Sequence, residues 1–299
     1  MLAILAWGSL SAGCGRTETV AGPVYSKKPP AAAATTIHFA IHPLHNPRKL
    51  VQSYQPLVAR LNARIPGMAL EVEASRDYQE FERKIAAREP EILLPNPWQT
   101  LEAMKTGYRV IAMAGEPQDF KGLLIVRRDS GIERLEDLRG RSIAYPSATA
   151  LAACIMPQWL LHEHGIDVNR DVLSFYVGSQ ESAIMNAFLR RTVAGATWPP
   201  PWRAFVAEHP AEAAQLRVAW ETESLVNNSV MVRDDVDPAL AEQVRRELID
   251  LANSDEGRAI LRQIDASRFL PAGDADYDRV REFVARFEAQ VRPVKGGVP

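Results

Sequence analysis

Cysteine is scarce in this chain: Cys14 and Cys154 are the two present among 299 residues. That excludes a disulfide scaffold and a cysteine-built zinc module. An excess of either charge is also lacking. Lys and Arg number 35 against 37 Asp and Glu, a formal net charge of −2, so no electrostatic footprint for a nucleic-acid backbone is present. Beyond a short N-terminal stretch, no apolar run approaches the roughly 20 residues that span a bilayer. No nucleophile elbow, Walker loop or H-E-x-x-H motif occurs, so neither catalysis nor a cofactor is expected. The six histidines, at 38, 42, 45, 162, 164 and 209, lack the further ligands a metal site needs, and no metal is expected. What is present is 46% hydrophobic and 24% charged, the composition of a globular protein.

The N-terminus reads as an address. Leu2 to Leu10 is apolar and is followed by Ser11, Ala12 and Gly13, then Cys14, the order of a signal h-region and its cleavage site. A Cys directly after small residues resembles the bacterial lipobox, which implies a signal peptide over 1–13 and a lipidated Cys14. Residues 14–36 are rich in Pro, Ala and Thr without apolar periodicity, a linker composition.

Strands then alternate with helices. Ile37, Phe39 and Ile41 alternate with His38 and Ala40 as a first strand. Asn46-Pro47 opens a helix, since Asn accepts from a free N–H and Pro has none to lose, and Pro56 is expected to kink it. Leu70–Ala74, Ile92–Leu94, Val110–Ala114, Leu123–Val126, Ser142–Tyr145 and Val193–Thr197 read as further strands. Helices are expected after Asp77 and Asn96-Pro97, over Met156–His164, after Asp237-Pro238 and over Tyr277–Val291. The pattern predicts an α/β fold with mostly parallel sheets flanked by helices.

Asp129-Ser-Gly-Ile132, Leu135, Asp137-Leu138 and Gly140 before the strand Ser142–Tyr145 resemble the crossover into the second lobe of type II periplasmic solute-binding proteins. Tyr54-Gln-Pro-Leu57, Asp77-Tyr78 with Phe81, and Gly178-Ser-Gln-Glu-Ser182 are similar to motifs of the phosphonate-binding branch of that superfamily, across about 37–290. The resemblance implies two lobes joined by two hinge strands: lobe one at 37–126 plus 223–292, lobe two at 127–222. It implies a periplasmic, lipid-anchored, monomeric binding component of an ABC importer, with a small anion as ligand and a permease as partner. A ligand sensor for a signalling partner, or an enzyme on the same superfold, are the alternatives.

Ligands of α/β sheets bind beyond the carboxyl ends of strands, where helix N-termini gather. Five turns qualify: 42–46, 95–99, 146–150, 178–181 and 197–202. They nominate His42, His45, Asn46, Asn96, Trp98, Ser147, Thr149, Ser179, Gln180, Glu181, Thr197, Trp198 and Trp202, with Tyr145 ending its strand beside them. Pro199, Pro200 and Pro201 are expected to make a stiff turn displaying two indoles. The family's Ser-Thr-Ser-Gly clamp falls on Ala150-Leu-Ala-Ala153, its Gly-Ser-His-Asp turn reads Gly178-Ser-Gln-Glu181, and an aspartate near Val193 is missing. These losses point to an organic anion larger and less charged than phosphate, with an apolar part against the indoles.

Overall fold

The computed structural model describes residues 36–295; the expected signal peptide, Cys14 and all of the expected linker but Thr36, which opens the first strand, lie outside the described residues. The first half of the chain runs β1 (Thr36–Ile41), α1 (Pro47–Arg64), β2 (Ala69–Ala74), α2 (Tyr78–Ala86), β3 (Ile92–Leu94), α3 (Pro97–Lys105) and β4 (Tyr108–Ala114). It continues through β5 (Leu123–Arg127), β6 (Ser142–Tyr145), a π turn (Leu151–Ile155), α4 (Met156–Glu163), β7 (Leu173–Tyr176), α5 (Gln180–Phe188) and β8 (Ala194–Thr197). Then come α6 (Pro199–Glu208), α7 (Pro210–Ala213), β9 (Leu216–Glu221), β10 (Ser229–Arg233), α8 (Pro238–Ile249), α9 (Asp255–Gln263), β11 (Phe269–Pro271) and α10 (Asp278–Gln290).

The strands form two sheets, one of six in the order β11-β4-β10-β3-β1-β2 and one of five in the order β7-β6-β8-β5-β9. The two-lobed α/β architecture is as expected, but the sheets are mixed rather than mostly parallel. β1 pairs in parallel with β2 and β3, and β6 with β7 and β8, whereas β5 and β10 run against both their neighbours. β5 and β10 are the first strands after the chain passes from one sheet to the other. Because β5 pairs with β8 and β9, it belongs to the second sheet, ahead of the boundary expected after Val126.

Period-2 alternation accounts for the layers. Phe39, Ile41, Ile92, Leu94, Val230 and Val232 point into one core, while Ala40, Leu93 and Met231 point to the opposite face. That opposite face joins a core shared with Leu124, Val126, Ile143 and Tyr145 of the second sheet. Leu123 and Ile125 close a third cluster with Phe205 on the outer side.

The two passages between sheets lie side by side. Gly122 N donates to Thr222 Oγ1 at 2.8 Å, Thr222 N to Gly122 O at 2.9 Å, and Leu225 N to Phe120 O at 2.9 Å. A Cβ on Gly122 would sit 2.5 Å from the Ala152 carbonyl oxygen, so only glycine lets this strand pass the π turn. The end of the chain bridges the sheets as well. Tyr277 Oη donates to Asn227 O at 2.7 Å beside β10, while Phe283 packs edge-on to Trp159 of α4 at 5.8 Å. Arg292 then donates to Gln158 Oε1 at 2.8 Å and Ala148 O at 2.9 Å. The C-terminal stretch therefore spans both lobes rather than staying on the first. α1 continues through Pro56 without a break.

Candidate functional site

Five helix starts surround the space between the sheets, and their chemistry differs. Asn46 Oδ1 accepts from Lys49 N at 3.0 Å, capping α1. Asn96 Oδ1 accepts from Trp98 N and Gln99 N at 3.0 and 3.2 Å, and Pro97 has no N–H, so the first turn of α3 is satisfied. Ser179 Oγ accepts from Ser182 N at 3.1 Å, capping α5. The run Pro199 to Pro201 is the first turn of α6 rather than a stiff turn, with Trp198 as its N-cap residue. Proline suits that position because its missing N–H has no intrahelical partner to lose, and three prolines leave that turn no donors.

The fifth start is different. Ala150 precedes the π turn and has no side chain with which to cap it. The amides of Leu151, Ala152 and Ala153 find no acceptor among the described residues; those of Cys154 and Ile155 both bond to Ala150 O. Ala150, Leu151, Ala152 and Ala153 line a cavity of about 10 Å³ between the lobes, on the order of what one water molecule needs. A solute enters only when the lobes stand further apart.

The opposite wall comes from lobe one and the passages. His42, Tyr78, Asn96, Phe120 and Asn228 line it, with Gln180 and Trp198 from lobe two. Trp198 lies against Phe120 with centroids 5.6 Å apart and against His42 at 6.3 Å. His42 is 2% exposed and its Nδ1 is 3.1 Å from Leu94 O; burial lowers its pKa to about 4. Direct bonds close the cleft: Gln180 Nε2 to Tyr78 Oη at 3.0 Å and Asn96 Nδ2 to Thr149 O at 3.3 Å. Thr197 Oγ1 donates to Gln180 Oε1 at 2.9 Å, orienting the amide.

At the rim, Thr149 Oγ1 donates to Glu82 Oε1 at 2.5 Å, and Gln99 Nε2 to the same oxygen at 3.2 Å. Burial raises the Glu82 pKa to about 7 against the lowering effect of those two bonds. Glu82 separates two recesses of about 440 and 200 Å³. Ser147 lines the smaller one and sits 3.0 Å from Thr149 Oγ1.

Of the residues nominated from sequence, His42, Asn96, Gln180 and Trp198 are brought together at the cavity, with Thr197 bonded behind them and Ser147 and Thr149 at the rim. The others are placed elsewhere. Asn46 is exposed, and His45 lines no part of the cavity, its pKa lowered to about 3 by burial, Lys49 and His42. Trp98 faces the wider recess with Gln99 and Glu102. Tyr145 is fully buried against Tyr176. Ser179 is used as a cap, and Glu181 faces His209 at 3.5 Å. Trp202 stacks on Phe205 at 5.9 Å, outside the cavity; it lies one turn, about 6 Å, further along α6 than Trp198, whose carbonyl accepts from its N–H. Sequence reasoning missed Tyr78, Phe120, Asn228 and Glu82; the opening of α2 and the Asn227-Asn228 pair were the available signals. Cys154 is buried within the π turn, and burial pushes its thiol up to about 11, the signature of an inert thiol.

Solved structures share this architecture. A binding protein component of an ABC phosphonate transporter from Pseudomonas aeruginosa aligns with a TM-score of 0.79 at 15% identity, covering 85% of this chain and 87% of that one. PhnD1 from Prochlorococcus marinus in complex with methylphosphonate aligns at 0.77 and 15% identity, over 86% of this chain and 99% of that one. A Xanthomonas citri protein bound to chloride ion aligns at 0.70 and 19% identity, over 85% and 98%. Sequence carries the assignment further than shape does: the family model described as ABC transporter, phosphonate, periplasmic substrate-binding protein matches residues 39–277. With its two lobes, its cleft and that match, the chain belongs to the periplasmic substrate-binding proteins of ABC phosphonate transporters.

Proposed function

We propose that this importer component captures a phosphonate-type organic anion between its lobes, with the anionic head on the amides of Leu151, Ala152 and Ala153. The observation that carries this reading is the uncapped helix start: three donors share one turn at the cleft cavity, and no side chain or proline removes them. Unsatisfied first-turn amides and the positive end of the helix favour an anion there. Ala150, Leu151 and Ala152 replace the hydroxyls that the family resemblance led us to expect, so backbone donors supply the recognition. Phe120 and Trp198 offer an apolar wall for the organic part.

Lobe one comprises 36–114 with 229–290 and lobe two 123–221, and the hinge runs through 115–122 and 222–228. The closed form, held by the bonds across the cleft, is what the permease reads. Cys14 is the lipid attachment point, and the protein acts as a monomer. A thermal-shift panel of alkylphosphonates, inorganic phosphate and carboxylates tests the ligand class. Alkylphosphonates at about 100 Kd should stabilise by roughly 2.7 kcal/mol, with phosphate weaker, and Trp198→Ala should cost the alkyl ligands more than about 1 kcal/mol. A shift from phosphate with none from any alkylphosphonate would overturn the reading.

A further inference from the structure

We infer that the cleft selects its anion in a singly charged form that still carries one O–H, and that His42 Nε2 accepts that proton's hydrogen bond. The inference rests on the binding reading above and extends it to the ionisation state of the ligand. The tautomer of His42 follows from its partner. Leu94 O can only accept, and Nδ1 lies 3.1 Å from it, so Nδ1 carries the hydrogen. In a neutral ring Nε2 is then a lone pair. Nε2 makes no hydrogen bond among the described residues, and the ring lines the cavity with the amides of the π turn. Asn228, 4% exposed on the same wall, has an Oδ1 that is buried without a donor. The cavity therefore sets unused amide donors against unused acceptors.

Charge gives the same answer independently. No Lys, Arg, Asp or Glu lines this cavity. A helix N-terminus supplies roughly half a positive charge, which suits one negative charge better than two. The charged groups around His42 do not alter this. His45 and Lys49 follow it along the chain, and neither lines the cavity. The pKa of His45 is itself lowered to about 3, so its ring is uncharged, Lys49 pairs with Glu208 at 2.6 Å, and the facing Trp198 is neutral. A sulfonate, or a phosphonate that has lost both protons, presents only acceptors and would set a lone pair against Nε2. A phosphonate that keeps one P–O–H gives its two bare oxygens to the amides and its hydrogen to His42. Leaving a buried acceptor without a donor is the larger penalty in such a comparison.

Calorimetry with matched alkylphosphonates and alkanesulfonates of one to four carbons tests this. The phosphonate should bind at least about tenfold more tightly than the sulfonate of equal chain length, the effect of one lost hydrogen bond to a charged group. His42→Phe keeps an aromatic ring without the acceptor and should bring the ratio to within about threefold. Where that variant does not fold, the pH profile of the wild type decides. Above the ligand's second ionisation, apparent phosphonate affinity should fall about tenfold per pH unit, since only the protonated fraction is competent. The sulfonate, which has no such ionisation, corrects for titration of Glu82 and other protein groups. Equal affinity for the two classes, tighter sulfonate binding, or a flat phosphonate profile overturns this inference and leaves the binding reading standing. Binding of neither class overturns both.

Discussion

Two helix starts face each other across the cleft and solve the same problem in opposite ways. At α3, Asn96 and Pro97 dispose of the first-turn donors within the chain. At the π turn, Ala150 leaves them available. Both are buried, and Asn96 even reaches across to Thr149 O, the carbonyl just before Ala150. The difference shows what a binding site of this kind requires: a scaffold whose own ends are closed, and one end kept open. Polarity in the sequence marks the closed ends, whereas the open end reads as alanine.

Closing the open end should have the largest effect. Ala150→Asp places a carboxylate where Asn96 has its amide, so an internal anion takes the donors. Phosphonate affinity should fall by more than about 100-fold, roughly 2.7 kcal/mol. The ligand-free protein should hold or gain up to about 1 kcal/mol in urea unfolding, as a cap does. Unchanged affinity in calorimetry would remove the distinction between the two starts.

A smaller effect belongs to the rim. Glu82 accepts from Gln99 in the first turn of α3 and from Thr149 beside the open end, with its pKa raised from 4.5 to about 7. Between those values the folded chain binds more protons than the unfolded one, so Glu82 contributes a fall in stability as pH rises. The loss is progressive across the interval. Glu82→Gln should remove it, seen as a urea midpoint that rises more, or falls less, between pH 4.5 and 7 than in the wild type. His42 contributes the reverse slope, gaining stability as pH rises from about 4 toward 6.5, so the two variants should bend the curve in opposite directions.

Least affected should be the exposed start of α1. Asn46 caps α1 on an exposed turn, and Asn46→Ala should cost at most about 1 kcal/mol of stability. Phosphonate affinity should not change. A loss of affinity there would mean that the closed ends are not mere scaffold.

Fold class and the order of elements were legible because burial imposes its period directly. Phe39 against Ala40 and Ile92 against Leu93 announce strands buried on both faces. Sheet direction was not legible, since β5 and β10 owe their antiparallel placement to where the chain crosses over. β7 was overlooked because Leu173, Phe175 and Tyr176 are all substantially exposed on a sheet edge, so no buried face patterns them. The three prolines of α6 suggested a rigid turn, yet the first turn of a helix is the one place where such a run costs no hydrogen bond. At the site, the helix starts could be named from sequence, but not which of them would stay open. Tyr78, Phe120 and Asn228 come from three separate segments, and only tertiary folding brings them to one wall.

Arg292 ties the end of the described chain to the cleft. Its guanidinium holds the carbonyl of Ala148, in the loop that delivers Ala150, and also Gln158 of the following helix. Every strand of both sheets and every helix start precede Arg292, yet none of them supplies the contact that fixes that loop. The loop at the binding site is thus fixed by a residue near the end of the described chain, although most residues of the cavity come from the first two-thirds of the sequence. A premature stop shortly before Arg292 would leave a recognisable fold with its recognition loop unregistered.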